Sequence, residues 1–314
     1  MVTVSIVIPT YRRIADLVKC LEGIHNQTHN PSEVVVVCRD TDEISLATVD
    51  EWLLKTSLYC KKRAIVRDAG MLAAMKAGAA EATGDVIAFT DDDAVPRPKW
   101  IERMIAAYKD ERVGGVGGRD IQRGQEQATP DTVVGIVTWY GKLHGNHHIG
   151  AGSPRKVDVL KGVNMSFRRH LLLFPDRLQG KGAQVHIEVH ICLYVRKQGY
   201  YLIYDPNIEV DHFPAVRFDS DQRGKVVPEA VRNAAHNLHT GILRQGGGPI
   251  RTPARIVYAM LVGDRKAPGV LRTGYGLVRG EREVLKSFWP AQAGLWQGLL
   301  QLFRTSKASR LDKA

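Results

Sequence analysis

Apolar positions in the first 118 residues follow two alternating patterns. Short β-branched or aliphatic runs at Val4–Ile8, Glu33–Cys38, Arg63–Val66, Asp85–Phe89 and Val113–Val116 read as strands. Between them, apolar residues recur at helical spacing over Ile14–Ile24, Ile44–Leu54, Met71–Ala82 and Trp100–Tyr108. This alternation predicts an α/β fold, a mostly parallel sheet with helices on both faces. Residues 119–157 lose the periodicity and are rich in Gly, Gln, His and Pro, so an irregular, functional or mobile segment is expected there. A short strand at Val157–Leu160, a helix over Ile187–Gln198 and strands near Tyr201–Tyr204 and Ile208–Val210 follow.

The fourth strand ends in Thr90 and three successive aspartates, Asp91, Asp92 and Asp93. Open α/β sheets bind ligands outside the carboxyl ends of their strands. Three carboxylates there repel one another unless a cation lies between them. Oxygen ligands suit Mg²⁺ or Mn²⁺, ions that commonly bridge a diphosphate. The competing reading is an acidic turn ahead of the helix at Trp100. No G-x-G-x-x-G follows the first strand and no P-loop is present, so a dinucleotide fingerprint is absent. His144, His147 and His148 are a possible metal site, but their spacing matches no zinc pattern, and a flexible lid or acceptor loop is the better expectation.

Charge changes the picture for the last third. Residues 1–212 carry a net charge of +1 and residues 213–314 a net of +10, within a total of +11 over 314 residues. The same region holds Leu295, Leu299 and Phe303, and Trp296 and Leu300, at helical spacing, followed by Arg304, Lys307 and Arg310. An apolar helical face with Trp and basic flanks predicts contact with an anionic membrane surface, against the alternative of a helix docked on the protein's own core. No nucleic-acid partner is expected, because no helix-turn-helix, zinc or aromatic RNA-binding signature accompanies the charge. The scattered Cys20, Cys38, Cys60 and Cys192 read as free thiols of a reducing compartment. With a strand beginning at Val2, no signal peptide is expected, and no apolar run is long enough to span a bilayer. A cytoplasmic protein at the inner membrane face is the expectation.

The segments SIVIPTYRR (5–13), GDVIAFTDDDAVPRPKWIE (84–102), KGVNMSFRR (161–169), FPDRLQGKG (174–182), CLYVRKQGY (192–200) and YDPNIEVDH (204–212), in this order, resemble family 2 glycosyltransferases of the GT-A fold. The resemblance implies a nucleotide-sugar donor, with UDP as the family's usual nucleotide. Pro9, Thr10, Tyr11 and Arg13 would line base and ribose, and Asp40 or Asp42 would contact the base. Lys76 would lie beside the donor. Asp91 and Asp93 would form the family's D-x-D, Asp93 as the direct metal ligand, unless adjacent aspartates make Asp92 the ligand instead. His212 would complete the metal site. Asn164 to Phe167, with Arg168 and Arg169, would help to form the donor and acceptor pocket.

Relatives commonly read E-D-V-D where this chain has Ile187-Glu188-Val189-His190, so Glu188 stands in the place of the catalytic base. Glutamate offers the same chemistry with one more methylene. His186 and His190 flank it as further bases or as groups that tune one. The expected function is inverting, metal-dependent sugar transfer to a hydroxyl acceptor, a glycan or lipid-linked saccharide. The alternatives are a catalytically degenerate sugar-nucleotide binder or scaffold of the same fold, and a nucleotidyltransferase, which PTYRR disfavours because it lacks glycine. The expected organisation is a catalytic domain over 1–217, halved at 118, and a basic, mainly helical extension over 218–314.

Overall fold

One mixed sheet holds strands β1 (Val4–Thr10), β2 (Glu33–Arg39), β3 (Cys60–Val66), β4 (Val86–Phe89), β5 (Ala94–Pro96), β6 (Val113–Gln122), β9 (Arg155–Val157), β10 (Met165–Arg168) and β11 (Tyr201–His212). A small ribbon pairs β7 (Ile136–Val137) with β8 (Leu143–His144). The computed structural model describes residues 2–55, 57–122, 124, 127–218, 222, 225–245 and 248–311. They group into two units. One contains Met1–Ile136, His144–Phe174 and Tyr194–Ala215, and the other Val137–Leu143, Pro175–Leu193 and Val216–Ala314.

In the first unit the sheet order is β3-β2-β1-β4-β10-β6-β11-β5, with β9 paired to β11. The β3-β2-β1-β4 block is parallel, as the alternation of strands and helices requires, while β10 runs antiparallel to both β4 and β6. Every residue of β1 and β4 is buried, the signature of strands covered on both faces. Helices α1 (Ile14–His25), α2 (Glu43–Leu54), α3 (Met71–Glu81) and α4 (Trp100–Ala107) fall where the apolar spacing predicts them. Helix α3 rides close on the sheet because residue 78 is glycine: a Cβ there would be 2.3 Å from Val7 Cγ1 and 2.7 Å from Val37 Cγ2.

Several stretches differ from expectation: the strand expected at Val157–Leu160 is β9, Arg155–Val157, and β5 and β10 were not expected. The strands expected at Tyr201–Tyr204 and Ile208–Val210 are one strand, β11, whose pairing with β6 shifts register between Asp205 and Glu209. Pro206 cannot donate to the ladder, so the shift falls around it. Gly118 of β6 admits the displaced segment, since a Cβ at 118 would lie 1.8 Å from Ile208 O. The irregular segment begins later than expected, because β6 runs on to Gln122.

The second unit contains α6 (Pro228–Gln245), α7 (Arg251–Leu261), α8 (Val270–Val278) and α9 (Val284–Leu311). Helix α5 (Ile187–Lys197) precedes them in the chain. Ala259, Leu295 and Leu299 form a small core with Leu243, Ile256 and Met260 around it. Gly294 and Gly298 bring α9 against α6: a Cβ at 294 would lie 2.2 Å from Arg232 O, and one at 298 would lie 2.9 Å from Thr240 Cγ2. The expected apolar stripe therefore divides. Leu295 and Leu299 dock on the unit's own core, whereas Trp296, Leu300 and Phe303 face solvent. The side chains of Lys307 and Arg310 lie outside the described residues.

Candidate active site

Strands β1 and β4 are adjacent and parallel, so their carboxyl ends emerge side by side. Thr10 Oγ1 there donates to Asp92 Oδ2 at 2.8 Å, and Arg13 Nη1 lies 3.0 Å from Asp92 Oδ1 and 3.7 Å from Asp93 Oδ2. Asp92 is buried, and burial pushes its carboxyl up to about 7 against the opposing pull of Arg13. The middle aspartate is thus held between the turn after β1 and its arginine.

Strand β5 begins immediately after Asp93 and pairs antiparallel with the end of β11, His212 opposite Ala94. That pairing, together with the parallel pairing of β11 on β6, carries His212 to the aspartates. One donor atom each from Asp91, Asp93 and His212 falls within 4.8 Å of the others. Asp93 is fixed by the chain beyond β11: its Oδ2 accepts from Ala215 N at 2.8 Å and its carbonyl from Phe213 N at 2.8 Å. Asp93 Oδ1 faces His212 Nε2 at 3.4 Å, and His212 Nδ1 faces Asp120 Oδ2 at 3.6 Å. These separations exceed those of good hydrogen bonds. Burial raises the Asp93 carboxyl, but His212, the Ala215 N–H and Arg13 outweigh it and hold Asp93 low. Burial also lowers the His212 imidazole, and Asp120 and Asp93 more than reverse it. Two carboxylates and an imidazole aimed at one centre fit a divalent cation of the Mg²⁺ or Mn²⁺ type.

Asp120 is a residue that sequence reasoning missed. It lies two positions before Gln122, which pairs with His212, on the same face of β6, and it is 1 % exposed. The strand was expected to end at Val116, which left Asp120 in a presumed loop. A carboxylate behind a metal-binding histidine holds the ring and selects the nitrogen that faces the metal.

The other expected donor residues differ in burial and in partners. Tyr11 is half-buried, with the Arg12 guanidinium 5.0 Å from its ring centroid. Arg12 adopts a left-handed φ of 57°, and its N–H donates to Asp42 Oδ2 at 2.6 Å. Asp42 also caps α2, accepting from Ser45 N and, at 2.7 Å, from Ser45 Oγ. Of the two candidate base contacts, Asp42 is buried and used structurally, and Asp40 is exposed. Lys76 lies half-buried in the middle of α3.

Two expectations need correcting. Asn164 is fully buried: its Oδ1 accepts from Trp100 Nε1, and its Nδ2 donates to Arg119 O and Ile208 O, so it ties strands together and presents nothing to a ligand. Arg168 pairs with Val86, at the amino end of β4, away from the aspartates, and its guanidinium donates to the Val113, Tyr108 and Asp110 carbonyls. A third correction concerns the histidine-rich segment. His147 is buried, with Nε2 2.9 Å from Val159 O and its ring against Tyr204, and burial pushes it down to about 4. It is part of the core. Among the described residues, none of His144, His147 and His148 belongs to a candidate metal cluster.

In the second unit, Glu188 occupies the first turn of α5, where an acid is favoured, and is half-buried. His186 Nδ1 lies 3.8 Å from Glu188 Oε1. Gln184 and His186 both have left-handed φ, 45° and 76°, so the chain entering this turn is held in a strained course. Asn237 of α6 supplies the constraint: its Oδ1 accepts from Gln179 N, and its Nδ2 donates to Gln179 O and Val185 O. Nothing in the local sequence marks Asn237. His190, expected as a base or an orienting group, is buried with Nε2 2.8 Å from Asn237 O and is pushed down to about 4 by burial. It is a structural histidine.

The mixed sheet, with an acidic cluster and a histidine at the carboxyl ends of its parallel strands, is consistent with a glycosyltransferase of the GT-A fold. The chain belongs to glycosyl transferase family 2, whose model matches residues 5–172. It is 27% identical over 224 residues to the glucosyl-dolichyl phosphate glucuronosyltransferase of Haloferax volcanii, covering 67% of this chain and 68% of that one. It is 28% identical over 214 residues to the dolichol-phosphate mannosyltransferase of Pyrococcus furiosus, covering 62% of this chain and 58% of the relative. The fold is shared with a mannosyltransferase of Pyrobaculum calidifontis solved with GDP-Man and Mn²⁺, at a TM-score of 0.57 and 18% identity, over 95% of this chain and 87% of that one.

Proposed function

We propose that this glycosyltransferase performs inverting, Mg²⁺- or Mn²⁺-dependent transfer of a sugar from a nucleotide-diphosphate sugar to a hydroxyl of a lipid-linked saccharide. The observation that carries the reading is the convergence of Asp91, Asp93 and His212 at the carboxyl edge of the sheet. The two relatives described above are named for dolichyl or dolichol phosphate, which supports a lipid-linked acceptor. UDP-sugars are the first donors to try.

Asp91, Asp93 and His212 would hold the cation. A divalent ion there supplies charge neutralisation for the departing diphosphate. Arg13, paired with Asp92 and Asp93, would lie beside the nucleotide of the donor. Exposed Asp40 is the base contact, since Asp42 caps α2. Glu188 takes the proton from the acceptor hydroxyl, whose oxygen attacks the anomeric carbon as the C–O bond to the diphosphate breaks. A lipid-linked acceptor places the protein at a membrane surface, and the basic C-terminal region supports peripheral attachment there. No helix among the described residues is long and apolar enough to cross a membrane.

Calorimetry with UDP-, GDP- and dTDP-sugars, with and without Mn²⁺, tests the site. One nucleotide class should bind only with metal, and Asp93→Ala should abolish that binding. Glu188→Gln should keep donor binding and lower turnover by about 100-fold or more. Unchanged turnover in Glu188→Gln removes Glu188 from the mechanism. Metal-dependent binding with no transfer to any lipid-linked acceptor favours the binding-protein reading, which Ile187-Glu188-Val189-His190 in place of the family's usual tetrad motivates.

A further inference from the structure

Helix α9 is apolar on two sides. One side carries Ala291, Leu295 and Leu299 into the core, with Gly294 and Gly298 against α6. The other carries Leu285, Trp289, Trp296, Leu300 and Phe303, which are 44%, 72%, 48%, 56% and 70% exposed. At about 100° per residue these five fall within an arc of about 60°. A helix docked only on its own protein shows polar residues on its outer face. Large aromatic and aliphatic side chains aligned along solvent mark a binding surface.

Helix α8 repeats the arrangement. Leu271, Tyr275 and Val278 share one face by their spacing and are all exposed. Arg272 and Arg279 flank that row, Arg279 Nη1 donating to the Tyr275 hydroxyl at 2.7 Å. Residues 248–304 carry nine Lys/Arg against three Asp/Glu, eight once the buried Arg255 is set aside. Apolar rows containing Trp, edged by cations, match the chemistry of an anionic lipid interface, with rings at headgroup depth and basic groups toward the phosphates. Among the described residues no helix is long and apolar enough to cross a bilayer, so α9 is suited to lie along one.

We propose that the outer face of α9, with the exposed row of α8, is the surface by which this protein docks on an anionic membrane. This rests on the reading above that the acceptor is lipid-linked, and it names the side chains that would enter the interface. Co-sedimentation of the full chain with vesicles of phosphatidylglycerol and phosphatidylcholine tests it, comparing wild type with a Trp289→Glu, Leu300→Glu variant. Both positions are exposed, so thermal stability and nucleotide-sugar binding in buffer should be unchanged. Vesicle affinity should fall by about tenfold or more, because each substitution removes an apolar side chain from the interface. Wild-type tryptophan emission should shift to the blue on adding these vesicles, and the shift should be smaller in the variant. If the variant sediments like wild type, another surface does the docking, and only the membrane reading survives. If wild type sediments with no vesicle, that reading falls too. Equal affinity for pure phosphatidylcholine overturns the charge complementarity. A wild-type dimer that the variant converts to monomer in light scattering assigns the face to a second copy and overturns the proposal.

Discussion

Asp120→Asn isolates one part of the candidate metal site. Asp120 is buried at the carboxyl end of β6, with Oδ2 accepting from Gln122 Nε2 at 3.0 Å and facing His212 Nδ1 at 3.6 Å. Asparagine keeps the size, and its amide oxygen can still accept from Gln122. The change removes the negative charge behind the imidazole and leaves a neutral acceptor toward Nδ1, which weakens the hold on a proton there and with it the orientation of Nε2 toward Asp93. Loss of a carboxylate behind a metal-binding histidine typically weakens metal affinity by about 10–100-fold, or about 1.4–2.8 kcal/mol. Titration of Mn²⁺ into the protein in the presence of UDP, followed by calorimetry, reads this directly. His212→Ala, which deletes a donor atom, should lose more. A wild-type-like thermal melt for Asp120→Asn shows that the fold is intact. If Asp120→Asn binds Mn²⁺ within about twofold of wild type while His212→Ala loses binding, Asp120 has no positioning role, and the reasoning from strand register to ring orientation is wrong.

Two predictions concern the scaffold. Glu33 is buried beside Ser5, Lys62 and the Thr83 and Gly84 N–H groups. Burial pushes its carboxyl up, but these partners outweigh burial and bring it down to about 2. Its stabilisation is therefore complete above the ordinary carboxylate range and is lost as pH falls from about 4.5 toward about 2. Glu33→Gln should cost on the order of 3 kcal/mol at neutral pH, seen in urea midpoints, with the deficit shrinking on acidification; a deficit independent of pH refutes the charged pairing. Gly78→Ala should lower the melting temperature, because the overpacking penalty of about 1–3 kcal/mol meets a gain of only about 1 kcal/mol in helix propensity. An unchanged melting temperature would show that α3 lifts from the sheet freely.

The alternation of strands and helices and the acidic turn were legible because both are local. Buried parallel strands must be runs of Val, Ile and Ala, as in Val34–Val37 and Val86–Phe89, whatever surrounds them. A carboxylate cluster at a strand end is visible as three adjacent letters. His212 was legible only through its place in a family motif. Asp120 was not legible at all, because its role depends on β6 pairing in register with β11, and that register is set by long-range hydrogen bonds.

The same reason explains the misplacements. Asn164 stands one residue beyond KGV and Arg168 five beyond it in a recognisable motif, yet β10 runs antiparallel to β4, so its start meets the aspartates' strand end, where Asn164 is buried as scaffold, and its finish carries Arg168 to the opposite end. Strand direction is a property of the sheet and is invisible in the motif. Likewise, Leu295 and Phe303 look equivalent on a helical wheel, and the neighbours of α9 decide which of them is core and which is surface. The sequence by itself determined the sheet-and-helix pattern, the acidic cluster and the charge of the last third, all carried by residues near one another in the chain. Tertiary structure alone decided which carboxylate stands behind His212, which asparagine is scaffold and which face of α9 meets solvent, because each depends on partners that only folding brings within a few ångströms.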